Sequence, residues 1–276
     1  MLSDKKIIEN LNLTGNFLEA SMFSEIANHD HYIATAEWPF STSNFNGTAD
    51  IIALNHHVQF EEPLVFFIIE CKKANKDHKV WVFDRCSGNR DITHPFLRFA
   101  PNGSRVYTDR TGYLLPLMGI NRVEDAPLYN KGYELRETDG NLNRNDSERI
   151  HKALTQANRA FVALAETDVT KIFKVSKATF EVREILFVPL VITNATIKVL
   201  NYSSEKIDKN KGEIDVEHIT TEERDFILYD FPLSSELQVS GNHNSEVIYP
   251  YKRPTFIVRA DKAIELMQAI SSAAEY

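Results

Sequence analysis

The spacing of apolar positions changes several times along the chain, and each change marks an element. In TGNFLEASMFSEIANH (14–29), Leu18, Met22, Phe23 and Ile26 recur at intervals of three and four, which predicts a helix with one apolar face. YIATAEWPF (32–40), TADIIALN (48–55) and PLVFFIIECKK (63–73) then read as three strands, the first stopped by Pro39. Residues 84–145 carry scattered Gly, Pro, Asn and Asp with no long period, and are read as an insertion of short strands and loops. NDSERIHKALTQANRAFVALAE (145–166) returns to helical spacing through Ile150, Ala153, Leu154, Ala157, Phe161 and Leu164, with Asn145 and Glu148 resembling a capping box. EILFVPLVI (184–192) and ATIKVLNY (195–202) are expected strands on either side of Thr193 and Asn194. SSEKIDKNKGEID is a charged excursion with turn character, and TFIVRA (255–260) is a last strand leading into a closing helix, KAIELMQAI.

This order predicts an α/β protein with a central mixed sheet flanked by helices. The 276 residues are read as one domain. Its core would be 14–83 and 145–202, with an insertion at 84–144 and a C-terminal strand-helix extension at 203–276.

Composition narrows the function classes only a little. The longest uninterrupted apolar run, 64–69, is far too short to span a membrane, and the N-terminus has no signal-peptide pattern. Two cysteines, Cys71 and Cys86, are too few for a disulfide-stapled secreted fold, so a cytoplasmic protein without membrane partners is expected. The net charge of −8 argues against coating a polyanion over a broad surface. It leaves room for a local basic patch or a bound metal to dominate one site.

The candidate chemistry lies where the apolar run 64–69 passes directly into Glu70, Cys71, Lys72 and Lys73. Alternation along a strand puts Glu70 and Lys72 on one face and Cys71 on the other. If the strand bearing Asp50 is the neighbour, two carboxylates and an amine meet at the strand ends. Like charges packed together need a cation between them, and oxygen ligands of this kind suit Mg²⁺ or Mn²⁺. Glu19 falls near the centre of the first helix's apolar face, with Glu25 at its flank; an acid there needs a polar partner.

The plainer reading of Asp50, Glu70 and Lys72 is a salt bridge at a sheet edge, and that of Glu19 is a surface acid. Two other acid-x-Lys triplets, Asp4-Lys5-Lys6 and Asp77-His78-Lys79, follow no apolar strand. Glu37 could reach the same region but is read as a surface strand position, and His29, His31, His56 and His57 are read as solvated loop residues. Arg85, Arg90, Arg98, Arg105 and Arg110 alternate with Phe96, Phe99 and Tyr107, which fits a substrate-facing surface or ordinary solvated residues equally well. Cys86 shows no catalytic partner pattern.

The arrangement NGTADIIA…FIIECKK closely resembles the core of the PD-(D/E)xK nuclease superfamily, the restriction-endonuclease-like fold. The matching residues are Glu19, Asp50, Glu70 and Lys72. The resemblance covers 14–75, extends to the helix 145–166 and is absent from 84–145. It implies a Mg²⁺- or Mn²⁺-dependent endonuclease acting on DNA, with restriction or defence as one setting. Asp50, Glu70 and the main-chain carbonyl of Cys71 would hold metal, Glu19 would supply a third acid, and Lys72 would activate or place the attacking water. Lys73 and Gln156 are weaker nucleic-acid contacts. Ala49 stands where the superfamily name has Pro, and the Tyr that often follows the Gln is missing. A non-cleaving binding module and an RNA-processing nuclease are the alternatives. Either a homodimer or a partner subunit is compatible with the sequence.

Overall fold

The computed structural model describes residues 4–12, 14–55, 63–74, 79–85, 96–99, 105–108, 128–136, 146–167, 184–239 and 252–274. Expectations resting on His56, His57, Cys86, Arg90, Arg110 and Asn145 lie outside these residues. So do those on the side chains of Arg85, Arg98, Arg105, Phe96, Phe99 and Tyr107.

The chain runs α1 (Asp4–Leu11), α2 (Asn16–Ala27), β1 (Tyr32–Ser41), β2 (Asn46–Asn55), β3 (Leu64–Lys72) and β4 (Val80–Arg85). It continues through β5 (Phe96–Phe99), β6 (Arg105–Thr108), β7 (Leu128–Leu135), α3 (Asp146–Glu166), β8 (Ile185–Thr193) and β9 (Thr196–Tyr202). It closes with β10 (Ile219–Arg224), β11 (Phe226–Pro232), β12 (Lys252–Arg259) and α4 (Ala263–Ala274). The protein is α/β, built on one large mixed sheet in the order β1-β2-β3-β8-β12-β11-β7-β4-β9-β10, with the β5–β6 pair joined at the start of β8. No helix among the described residues is long and apolar enough to cross a membrane.

Helices cover the sheet on both faces. Met22 and Ile26 of α2 and Leu266, Met267 and Ile270 of α4 pack over Ile51, Phe67, Ile69 and Phe256. On the opposite face, Phe161 and Leu164 of α3 pack over Ile52, Phe66, Ile68 and Phe187. The amino-terminal half of the same helix, through Ile150, Leu154 and Ala157, covers Trp81, Phe83, Tyr229 and Ile257. Strands covered on both faces read as continuous apolar runs, which is why β3 and β8 show so little alternation in sequence. Each fully buried Phe or Ile in them contributes on the order of 1.5–3 kcal/mol, which lets the strand ends carry charge.

Prolines sit where the sheet tolerates them. β1 does not stop at Pro39 as expected but runs on to Ser41, with Pro39 opposite Thr48, as an edge strand tolerates. Pro189 lies in β8 between the stretch paired with β5 and the stretch paired with β12. The segment 203–276, read from sequence as an extension, supplies β11 and β12 in the middle of the sheet, and β12 pairs directly with β8. The short strands of 84–144 include β7, which lies between β11 and β4. The excursion after β9 is a chain of turns, with Gly212 at φ 70° taking the left-handed conformation that glycine adopts freely.

Candidate active site

The acidic site forms where β1, β2 and β3 stop pairing regularly. The antiparallel β2–β3 ladder ends at Ile51↔Ile69, so Asp50 and Glu70 are the next residues on the two strands. Beyond that point the Cys71 N–H donates to Asp50 Oδ2 at 2.7 Å. A carboxylate thus takes the acceptor place that a ladder carbonyl would hold, and Asp50 lies between the strands.

On the other side of β2 the pairing passes from Ala36↔Ile51 to Trp38↔Ala49, leaving out Glu37 and Asp50. Glu37 has φ 49°, a left-handed backbone that is uncommon for a non-glycine residue and costs on the order of 1–3 kcal/mol. Both strands change faces there. Ala34 and Ile51 belong to the α2–α4 side, whereas Trp38, Phe40 and Ala49 pack on the α3 side. The irregularity turns Asp50 out of the core alternation and brings the Glu37 carboxylate into its field.

Electrostatics tie these acids together. Glu70 is buried, and a side-chain hydrogen bond joins it to Asp50. Burial, then the Asp50 charge, push the Glu70 carboxyl up to about 9, only partly offset by Lys72. Glu70 therefore keeps its proton at neutral pH and donates it to Asp50. Asp50 is also raised by burial, against the pull of the Cys71 N–H and of Lys72. Glu19 on α2 is raised by burial and by Asp50 and Glu37. The Cys71 thiol, on the α2 face, is pushed well up by burial, which suits packing rather than nucleophilic attack.

Asp50, Glu70, Lys72 and Glu19 are thus brought into one electrostatic neighbourhood, and Glu37, read from sequence as a surface acid, joins them. Gly15, which precedes α2, lies close to the Cys71 carbonyl: a Cβ added there would stand 3.9 Å from that oxygen. Asn194 was missed; its Oδ1 accepts from the Ala74 N–H at 2.7 Å and pins the chain after β3 to the β8–β9 turn. A lone Asn between two strands carries no sequence pattern that would have flagged it. Gln156 is an exposed residue of α3 whose side chain makes no hydrogen bond or ion pair among the described residues.

The donor set consists of hard oxygens, the kind Mg²⁺ accepts through one or two carboxylates with the remaining positions left to water or phosphate. Asp50 and Glu70 fit that description. They do not form a closed cage: among the described residues no group of three or more His, Cys, Asp or Glu is drawn together tightly enough to hold a metal. No family model, curated protein or solved structure matches the chain.

Proposed function

We propose that the chain is a Mg²⁺- or Mn²⁺-dependent phosphodiesterase that cuts DNA, built on a restriction-endonuclease-like arrangement. The observation that carries this reading is the Asp50–Glu70 pair, two acids that face each other just beyond the last pair of the β2–β3 ladder and are joined by a side-chain hydrogen bond. Once Glu70 gives up its proton the two carboxylates repel, and a hard cation relieves that repulsion. Asp50 and Glu70 would hold the cation, with the Cys71 carbonyl beside them and Glu19 available directly or through water. When bound, the cation supplies Lewis-acid polarisation of the scissile phosphate. Lys72, one pleat beyond Glu70 on the same face, presents its ammonium to the phosphate and orients the attacking water. The Cys71 N–H donates to Asp50 Oδ2 and would hold that carboxylate in place for the cation.

The absence of a third close ligand among the described residues favours one other reading, a non-cleaving nucleic-acid-binding module. Cleavage of supercoiled plasmid in Mg²⁺ or Mn²⁺ separates the two. Asp50→Asn and Lys72→Ala should each lower the cleavage rate by about a hundredfold or more while leaving the folded state intact by circular dichroism. Cleavage that survives unchanged in either variant removes the assignment.

A further inference from the structure

We propose that the outward face of α1 pairs with α1 of a second copy of this chain, antiparallel about a two-fold axis. The proposal does not depend on the hydrolase reading. α1 is amphipathic, yet it is mounted with its polar side towards the body of the protein. Lys6, Glu9 and Asn10 line a trough of about 930 Å³ that also takes in Cys71 and Lys72 at the end of β3. Ile7, Ile8 and Leu11 are centred roughly 150° further round the helix, away from that trough. They are 43%, 53% and 40% exposed, and every residue from 5 to 12 is exposed. Phe17, 51% exposed, repeats the pattern on α2, where it lies roughly 140–180° round from the buried Met22 and Ile26.

A helix in water is marginal below about 12–15 residues, and most helices are stabilised by burying an apolar face. α1 has 8 residues and buries none of its apolar side chains on its own chain, so the stabilising contact comes from outside. Charge selects the occupant. In α1, Lys5 and Lys6 balance Asp4 and Glu9, which leaves the segment neutral in a chain of net charge −8. Two copies therefore meet here without the repulsion their acidic surfaces impose elsewhere. With the two-fold axis across the helix, an isologous contact runs the two segments antiparallel and brings Lys5 of one copy beside Glu9 of the other. The same contact covers Ile7, Ile8 and Leu11 of both. Lys5 and Glu9 are exposed and only loosely paired within one helix, at 4.0 Å, so exchanging partners loses little. A neutral segment of this length lacks the cationic flank that draws amphipathic helices to anionic lipid. Four apolar side chains per copy make a contact smaller than the roughly 800 Å² per partner of a standard interface, so the pair is weak, with Kd on the order of tens of micromolar. Pairing also fixes α1 as one wall of the trough beside Lys72.

The test is sedimentation equilibrium of the full chain from about 5 to about 500 μM, where the mass should rise from that of one chain to that of two. The double variant Ile8→Glu, Leu11→Glu should stay monomeric throughout, its pairing weakened by about a hundredfold or more. Both positions are exposed, and an unchanged melting temperature at the lowest concentration establishes that the variant is folded. Two charge variants test the antiparallel register. Lys5→Glu and Glu9→Lys should each self-associate about tenfold more weakly than the wild type. Their equimolar mixture should recover the wild-type affinity, because the mixed pair alone joins opposite charges at both contacts. A single-chain mass at the highest concentration, a dimer that survives Ile8→Glu, Leu11→Glu, or a mixture that does not recover overturns the proposal. So does a monomer that floats with phosphatidylserine-containing vesicles, which would assign the face to lipid. No readout here involves cleavage, so a chain that pairs but never cuts defeats the hydrolase reading alone, and one that cuts as a monomer defeats the pairing alone.

Discussion

Replacing Glu70 by Gln should change how stability depends on pH in the absence of metal. The native Glu70 carboxyl is raised from 4.5 to about 9 by burial and by Asp50. Between those values the folded chain keeps a proton that the unfolded chain releases. The stability linked to Glu70 is therefore complete below 4.5 and is lost as pH rises towards about 9. One such proton is worth about 1.4 kcal/mol per pH unit, and because Asp50 shares it the figure to expect is on the order of 1 kcal/mol per unit. Gln keeps the shape and can still donate to Asp50, yet cannot ionise. Urea unfolding in EDTA should show the variant more stable than the wild type, by a margin that widens between roughly pH 6 and 8 at that rate. A margin independent of pH, or one that narrows, would refute a Glu70 held protonated beside Asp50.

Two further predictions concern the scaffold. Gly132→Ala would place a Cβ 2.8 Å from a Phe83 ring carbon and 3.1 Å from Ile150 Cδ1, where α3 meets β4, and should destabilise by about 1–3 kcal/mol in urea unfolding. An unchanged midpoint would mean that this contact yields freely. Arg253 is buried, with its guanidinium 3.9 Å above the Phe161 ring, and donates to Asn158 Oδ1 and to the Leu237 carbonyl. Arg253→Leu should destabilise by about 3 kcal/mol or more, since both acceptors lose a charged donor; a loss under about 1 kcal/mol would contradict the clamp.

The elements with an unbroken period were the ones legible in the sequence. The α2 face of Leu18, Met22 and Ile26, the apolar run of β3 and the stripe from Ile150 to Leu164 all lie where the spacing puts them. The neighbourhood of Asp50 and Glu70 was legible for the same reason, because the apolar runs 51–54 and 64–69 each abut an acid. What escaped depends on partners far away in sequence. Trp81 and Phe83 form a buried strand that pairs with β7 and β9, and its short run gave no period to read. Glu37 looked like a surface acid because alternation assumes a regular strand, and its left-handed backbone breaks that assumption. Asn158 fell inside an apolar helical stripe, yet it is buried with its amide bonded to Thr255 and Arg253 on β12, a partnership no local pattern reports.

The central claim is that Asp50 and Glu70 together hold a divalent cation. Crystals grown at about pH 8 and soaked in Mn²⁺ test it most directly, because ionising Glu70 favours metal at higher pH. The account predicts an anomalous peak bridging the two carboxylates, absent in Asp50→Asn. A map with no peak between them, or with manganese only elsewhere on the protein, would contradict it.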